Sequence, residues 1–513
     1  MHLKYKYMTD TAQNNKRIAK NTLLLYIRML LLMCVSLYTS RVILNALGVE
    51  DFGIYNVVGG VVAMMGFLNN SLGTATQRFI NYAIGKNDEK HLNKIFSASF
   101  ICYCIIIFIV IVIAETVGLW FVCNKLIIPE IRKETAFWVY QLSLLTFIIS
   151  MLSVPYNAVI VAYEKMSAFA YISIIEGIGK LIIALLITIS PIDKLLYYAI
   201  LMCILSICIR SLYVKYCNNN FTICKIHFTW DRPLLIKIFS FSGWMITGTL
   251  SQMFSTQGVN ILINLFFGPI YNAARSVAMQ VYNAVSGFIN NFMIAVKPQI
   301  IKSYAQGNLV YSYKLIYSSS KISFFLLFIL SVTILFETDY ILDLWLKNPP
   351  HMAAVFTQLT LYDLFVTALY SPIAYISQAS GKVRNYQLII TLCFASVFIF
   401  SWIFYKLGYD SYMAFVVILV IDIIGLFMRL YILKKESNFP IKNYFTNVLK
   451  SVILVFIISI ILCFLISKFI IEQSFGAFIT RTMLYISITG IIIFMIGLNK
   501  SEKNMIKKII LKK

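Results

Sequence analysis

GIYNVVGGVVAMMGFLNNSLGTATQRFINYAIGKN, running from Gly53 to Asn87, decides the fold. At a rise of ~1.5 Å per residue, a helix of this length crosses the ~30 Å hydrocarbon core of a bilayer. Wound at helical spacing, Asn56, Gly60, Ala63, Phe67, Asn70, Thr74, Gln77, Arg78 and Asn81 fall within one sector, while Val, Met, Leu and Ile fill the rest. Lipid cannot satisfy amides and a guanidinium, so the polar sector must face protein or water.

The stretch has a second copy. GFLNN at Gly66 to Asn70 returns as GFINN at Gly287 to Asn291, 221 positions on. At nearly the same shift Gln77 meets Gln299, Tyr82-Ala83 meets Tyr304-Ala305, Gly85 meets Gly307, and IFSAS (Ile95 to Ser99) meets IYSSS (Ile316 to Ser320). Pro155 and Pro372 sit at a similar shift, each followed ten residues later by Lys165 or Lys382. Matches at one offset on both sides of a gap indicate an internal duplication, two halves that are each a bundle of membrane helices.

Composition sets the class. The 513 residues are 60% hydrophobic and 13% charged, with a mean hydropathy of +0.81, which is too apolar for a soluble domain. The net charge of +23 does not mark a nucleic-acid binder, because the basic residues lie in short connecting loops rather than on one basic domain. The ten cysteines, such as Cys102, Cys104 and Cys463, are scattered in apolar segments without a CxxC pair, so free buried thiols are expected rather than disulfides or zinc. The polar leader to Asn21 runs into a long apolar helix with no small-residue cleavage site, so no cleavable signal is expected.

The expected fold is an all-α polytopic membrane protein with about 14 transmembrane helices in two pseudo-symmetric lobes around a central cavity. Candidate spans lie near 22–46, 53–84, 95–121, 135–162, 167–189, 195–216, 237–265, 271–300, 317–338, 352–379, 386–406, 411–433, 448–471 and 478–498. The domains follow as an N-terminal lobe 1–217, a cytoplasmic linker 218–236, a C-terminal lobe 237–434, and two further spans with a basic tail in 435–513. With both termini cytoplasmic, about thirty Lys and Arg lie inside, including Lys16 to Lys20, Lys225 to Lys237 and Lys507 to Lys513. About eight lie outside: Lys125, Arg132, Lys133, Lys194, Lys347, Lys406, Lys468 and Arg481. No soluble segment is large enough for a catalytic domain and no Gly-rich phosphate loop exists, so the chain is expected to be no enzyme and to carry no ATPase.

Ionisable groups inside spans carry the chemistry, since each costs ~2.5–3.5 kcal/mol at a helix centre on insertion scales. They are Arg28, Arg78, Lys180, Arg210 and Arg275, with Glu115, Glu176, Asp363 and Asp422. Asn272, Arg275, Tyr282, Ser286, Asn290 and Lys297 share one side of the eighth span. Glu176 and Lys180 are spaced as an i,i+4 ion pair and read as structural, whereas Arg210 and Arg78 lie near helix ends where snorkelling competes with a site role. Asn pairs are more often packing glue than ligands. A wet cleft lined by Arg28, Arg78, Arg275, Asn70, Gln77, Tyr282, Ser286 and Asn290 suits an anionic, hydroxyl-rich solute, because Arg offers fork-like donors to phosphate oxygens.

SRVILNALGVEDFGIYNVV (Ser40 to Val58), FFGPIYNAARSVAMQV (Phe266 to Val281) and GFINNFMIAVKPQIIKSYAQGN (Gly287 to Asn308) resemble the polysaccharide-flippase branch of the multidrug/oligosaccharidyl-lipid/polysaccharide exporter superfamily. By span count and repeat the resemblance covers nearly the whole chain. It implies a bacterial inner-membrane flippase, working by alternating access, whose cargo is an undecaprenyl-diphosphate-linked oligosaccharide of O-antigen or capsule type. The lipid tail would thread between helices one and eight. Arg28 and Arg275 would hold the diphosphate or acidic sugars. Related flippases bind a coupling cation on acidic side chains of the second lobe, so Na+ or H+ coupling falls to Asp363 and Asp422, with Glu115 the first-half candidate. No other cofactor and no metal are expected, and a monomer is, with membrane lipids, glycosyltransferases and a polysaccharide polymerase as partners and no nucleic acid. The competing reading is a cation-coupled multidrug or organic-cation antiporter on the same fold, which needs an essential intramembrane carboxylate. A membrane glycosyltransferase would need a large outer loop, which is missing, and Glu50-Asp51 reads as a helix N-terminal cap instead.

Overall fold

The computed structural model describes residues 2–124, Leu126, 128–224, 230–470, Glu472, 474–500 and 502–503. Lys125, part of the linker and the tail Lys507 to Lys513 lie outside it, as do the side chains of Glu50, Asn56 and Ala63. The described residues are almost wholly helical. In chain order the helices are α1 His2–Ala63, α2 Phe67–Gly85, α3 Glu89–Ile113, α4 Leu119–Asn124, α5 Lys133–Ala162 and α6 Met166–Thr188. Then come α7 Lys194–Asn220, α8 Arg232–Phe267, α9 Pro269–Ala305, α10 Leu309–Phe336, α11 Thr338–Leu346 and α12 Ala353–Tyr370. The last are α13 Ala374–Ser380, α14 Arg384–Lys406, α15 Met413–Ser437, α16 Ile441–Tyr444, α17 Lys450–Phe469 and α18 Phe475–Ile492.

Twelve of these segments are long and apolar enough to cross a membrane. Against the fourteen expected spans, the two that fall short are 49–85 and α9, the repeated pair whose polar faces opened the sequence reading. Their amides and cations lower mean hydropathy without shortening the helix. Many large apolar side chains, among them Phe108, Val117, Leu265, Leu392 and Tyr431, stay exposed, as expected where lipid takes the place of water.

Two compact units form. Unit 1 is Met1–Thr249 with Ile301–Gly307, and unit 2 is Leu250–Ile300 with Asn308–Lys513. In unit 1, α1 packs on α6 and α5 on α7. Its apolar cores gather around Phe96, Tyr156 and Tyr213, and around Val58, Val139, Tyr140 and Ala184. In unit 2, α15 packs against both α12 and α14, with Phe356 stacked on Phe415 at 4.4 Å between ring centroids. A bidentate pair ties α18 to the end of α10: Arg481 Nε and Nη2 donate to Glu337 at 2.6 and 2.8 Å, and Tyr485 adds a third bond at 3.2 Å. Arg481 also reaches the Ile470 and Glu472 carbonyls, so this cation, counted in the sequence as an outer loop charge, is buried and fully engaged.

The duplication is written in the backbone. Gly48 (φ 79°) breaks α1 and Gly268 (φ 86°) separates α8 from α9, 220 positions apart. Both turns need a left-handed residue between two helices, where a Cβ would clash with the chain itself. The next turn repeats at the same spacing. Asn87 and Gly307 have positive φ, and Asp88 and Asn308 follow as N-caps, accepting from His91 N and Tyr311 N at 3.2 Å. Gly85 is therefore equivalent to Ala305, two positions off the Gly307 match read from the sequence. Its own requirement is close approach: a Cβ there would lie 2.7 Å from both the Ala305 Cβ and the Lys302 carbonyl oxygen. Gly85→Ala is expected to cost about 1–3 kcal/mol, because a backbone atom cannot yield; unaltered thermal unfolding of the variant would contradict this packing. The Pro155/Pro372 match holds at its own spacing, with Glu164 (φ 59°) and Gly381 (φ 77°) in equivalent turns before Lys165 and Lys382.

Polar residues at the helix ends of unit 1 tie segments distant in sequence. Arg132 binds Asp51 at 2.8 Å and also Asp193, so Asp51, read from the sequence as part of a helix cap, is an ion-pair partner. Burial alone would raise the Asp193 carboxyl, but the Leu196 amide and Arg132 outweigh it and hold the group below its usual range. Glu164, with its side chain 1% exposed, accepts from Arg17 at 2.8 Å and from Lys302 at 2.7 Å.

Candidate functional site

Unit 1 contains a cavity of about 270 Å³ between α5, α6 and α7. Ser150, Ser153, Asn157, Ser206 and Tyr213 make its wall polar, and the Glu176–Lys180 pair, 2.7 Å apart, stands on its rim half exposed. The pair forms as its spacing predicts, and its position on a cavity wall is what one helix could not disclose. Arg28 lies beside this wall. Its Nη1 donates to Ser173 Oγ at 3.0 Å, its guanidinium covers the Phe169 ring at 4.5 Å, and it lies within electrostatic reach of Glu176 and Tyr213. The acid within reach of Arg28 comes from α6.

The other polar sites of unit 1 are separate. Arg78 is buried among the rings of Phe79, Tyr82 and Phe241, at 4.6, 5.1 and 5.5 Å, in a cation–π enclosure rather than at a snorkelling tip. Gln77 is half-buried and Asn70 exposed. Glu115 sits in a π-turn, Ala114–Gly118, and accepts from Gln141 Nε2 at 3.2 Å. Asp363 and Asp422, the other coupling candidates, belong to unit 2.

Unit 2 holds the densest ionisable cluster. Asp363, Thr367 and Tyr370 from α12 meet Asp422 and Arg429 from α15, and Tyr282 of α9 reaches the same group. Tyr370 donates to Asp422 Oδ2 at 3.1 Å and lies 3.0 Å from Thr367 Oγ1. Arg429 Nη2 is 3.9 Å from Asp422 Oδ1, and its guanidinium stacks 3.8 Å over the Tyr370 ring. Gly425 leaves room for that stack, since a Cβ there would stand 3.2 Å from Arg429 Nη1. The Asp363 and Asp422 side chains lie together. The cluster thus sets two acids against one guanidinium, one formal positive charge short of balance.

The polar face of α9 is divided by the fold. Tyr282, expected in a substrate cleft, joins the carboxyls. Arg275 is buried and donates to the Thr256 carbonyl at 2.9 Å, so α8 backbone occupies part of its fork. Ser286 bonds locally to the Asn283 carbonyl, and Asn290 is exposed while its neighbour Asn291 is the buried amide. Arg429 went unread in the sequence: it lies about a turn and a half from Lys434-Lys435, where a cation reads as part of the inner loop charge. Its one signal was the i,i+7 spacing from Asp422, which puts both on one face.

No family model matches the chain, and no curated protein matches it. Solved structures do. An outward-facing multidrug resistance MATE family transporter of the MOP superfamily superposes with a TM-score of 0.72 at 14% identity, over 83% of this chain and 97% of that one. A MATE protein in a bent conformation gives 0.72 at 15% identity, over 83% and 96%. A MOP superfamily transporter from Pyrococcus furiosus, described as having a binding pocket of reverse polarity, gives 0.64 at 15% identity over 82% and 97%. The chain is a multi-pass membrane protein with a MATE-type fold.

Proposed function

We propose that the chain is a cation-coupled secondary transporter, with Asp363 and Asp422 taking up the coupling proton or Na+ and the unit 1 cavity recognising solute. The carboxyl cluster of unit 2 carries this reading. A buried site one positive charge short of neutrality, inside helices long enough to span a bilayer, gives a cation a differential reason to enter and leave.

Two cargo classes fit, each with its own support. The similar solved structures include a multidrug resistance transporter, which favours an organic-cation antiporter. The side chains of unit 1 favour an anionic, hydroxyl-bearing head: serines, an asparagine and a tyrosine line the cavity, with Arg28 and Lys180 beside it. The Pyrococcus transporter of reverse pocket polarity is an instance of this fold departing from the multidrug pattern. On the side chains we assign the cargo as an undecaprenyl-diphosphate-linked oligosaccharide, flipped across the bacterial inner membrane by alternating access. In cells that lack their own flippase, the chain is expected to support surface-glycan assembly and Arg28→Ala to reduce it at least about tenfold while still inserting. Full assembly by the variant would remove Arg28 from the mechanism. Proton- or sodium-driven dye efflux from vesicles, without glycan assembly, would establish the antiporter instead.

A further inference from the structure

The cations on the polar face of α9 have unequal surroundings. Arg275 donates from Nη2 to the Thr256 carbonyl, so part of its fork is engaged. Lys297 lies 22 residues further along, ~33 Å down the axis at 1.5 Å per residue. It is 9% exposed, and among the described residues neither a carboxylate nor a hydrogen-bond acceptor meets its ammonium. Its ammonium faces the ring of Tyr375, whose centroid is 5.5 Å from Nζ.

A phenol face at that distance offsets only part of the desolvation of an ammonium. The other deeply buried lysines are paired, Lys302 with Glu164 and Lys321 with Glu502, each at 2.7 Å. Lys297 is thus a buried positive charge of unit 2 for which no described residue provides a counter-ion. Pro298 follows it directly and cannot donate to the Ile294 carbonyl, so the helix is locally weakened at this point. A compact ammonium binds phosphate oxygens as a point charge, without the planar fork that Arg requires. Lys297 stands near the C-terminal end of α9, the end that the Lys and Arg bias puts on the cytoplasmic side, where a lipid-linked glycan would be loaded.

We propose that Lys297, held against Tyr375, is an anion subsite of unit 2 that takes the diphosphate oxygens of the cargo. This deepens the diphosphate-cargo reading above and rests on it. The full chain in detergent is titrated with geranylgeranyl diphosphate and, separately, with inorganic diphosphate while thermal unfolding is followed. The wild-type protein is expected to gain stability with the prenyl diphosphate. Lys297→Met is expected to raise the half-saturating concentration at least about tenfold, and Lys297→Arg to stay within about threefold, because the charge is kept. An equal response to inorganic diphosphate supports a subsite that reads the head group alone; a response to the prenyl compound only supports one that also needs the tail. A Lys297→Met protein that responds like wild type overturns the subsite and leaves the cargo assignment standing. A wild-type protein that responds to neither compound overturns both.

Discussion

Arg429→Met is expected to destabilise the protein by about 3–5 kcal/mol and to stop transport, the largest effect of any single substitution in unit 2. Arg429 is 1% exposed, faces Asp422 at 3.9 Å and stacks on Tyr370 at 3.8 Å. Without it, Asp363 and Asp422 keep their mutual contact with no cation to share. Most of the cost is that uncompensated charge rather than the worth of the ion pair itself. Asp422→Asn in the Arg429→Met background should recover part of the loss, as coupled neighbours do in a double-mutant cycle. Thermal unfolding of the four proteins is the measurement. Additive losses, or an Arg429→Met protein that unfolds and transports as wild type, would dissolve the cluster as a unit.

Glu164→Ala is expected to cost about 3 kcal/mol, and Glu164→Gly about 1 kcal/mol less than that. Nearly all of the loss belongs to Lys302, whose side chain is 14% exposed; Arg17, at 48%, contributes under about 1 kcal/mol after solvent screening. Glycine regains part because residue 164 has φ 59°, a conformation a Cβ opposes, and the equivalent turn of unit 2 already has Gly381 there. The first half thus accepts backbone strain to place a carboxylate that the second half does without. A glycine variant less stable than the alanine variant, by denaturant or heat, would refute the assignment of strain.

The helices and their duplication were legible because apolar run length and glycine-marked breaks are local properties. Gly48 and Gly268 recur at one spacing, yet their equivalence stayed hidden behind the IYN at Ile54 and Ile270, which is out of register. Arg28 could be selected from sequence because a cation in mid-helix is conspicuous, but Glu176, Ser173 and Phe169 come from α6, more than a hundred residues away. The roles of Tyr282 and Arg275 were harder, since periodicity says which residues share a face and nothing about what packs against it. Tyr282 meets carboxyls and Arg275 meets a carbonyl on the same helix. Arg429 was masked by the charge bias that sets orientation, which makes a cation near a helix end look ordinary.

Lys321 gives the far end of the chain a role that a count of spans would deny it. Its side chain is 1% exposed within α10, and the carboxylate that neutralises it, 2.7 Å away, belongs to Glu502, beyond the last long helix. Ser318 donates to the same carboxylate, and Glu502 also accepts from the Asn499 amide. A ribosome making this protein completes that buried electrostatic contact only after the last long helix has been synthesised. Premature termination just past Gly497 would leave every long helix present and a bare ammonium in the middle of one of them, a defect that membrane quality control can detect where hydropathy cannot.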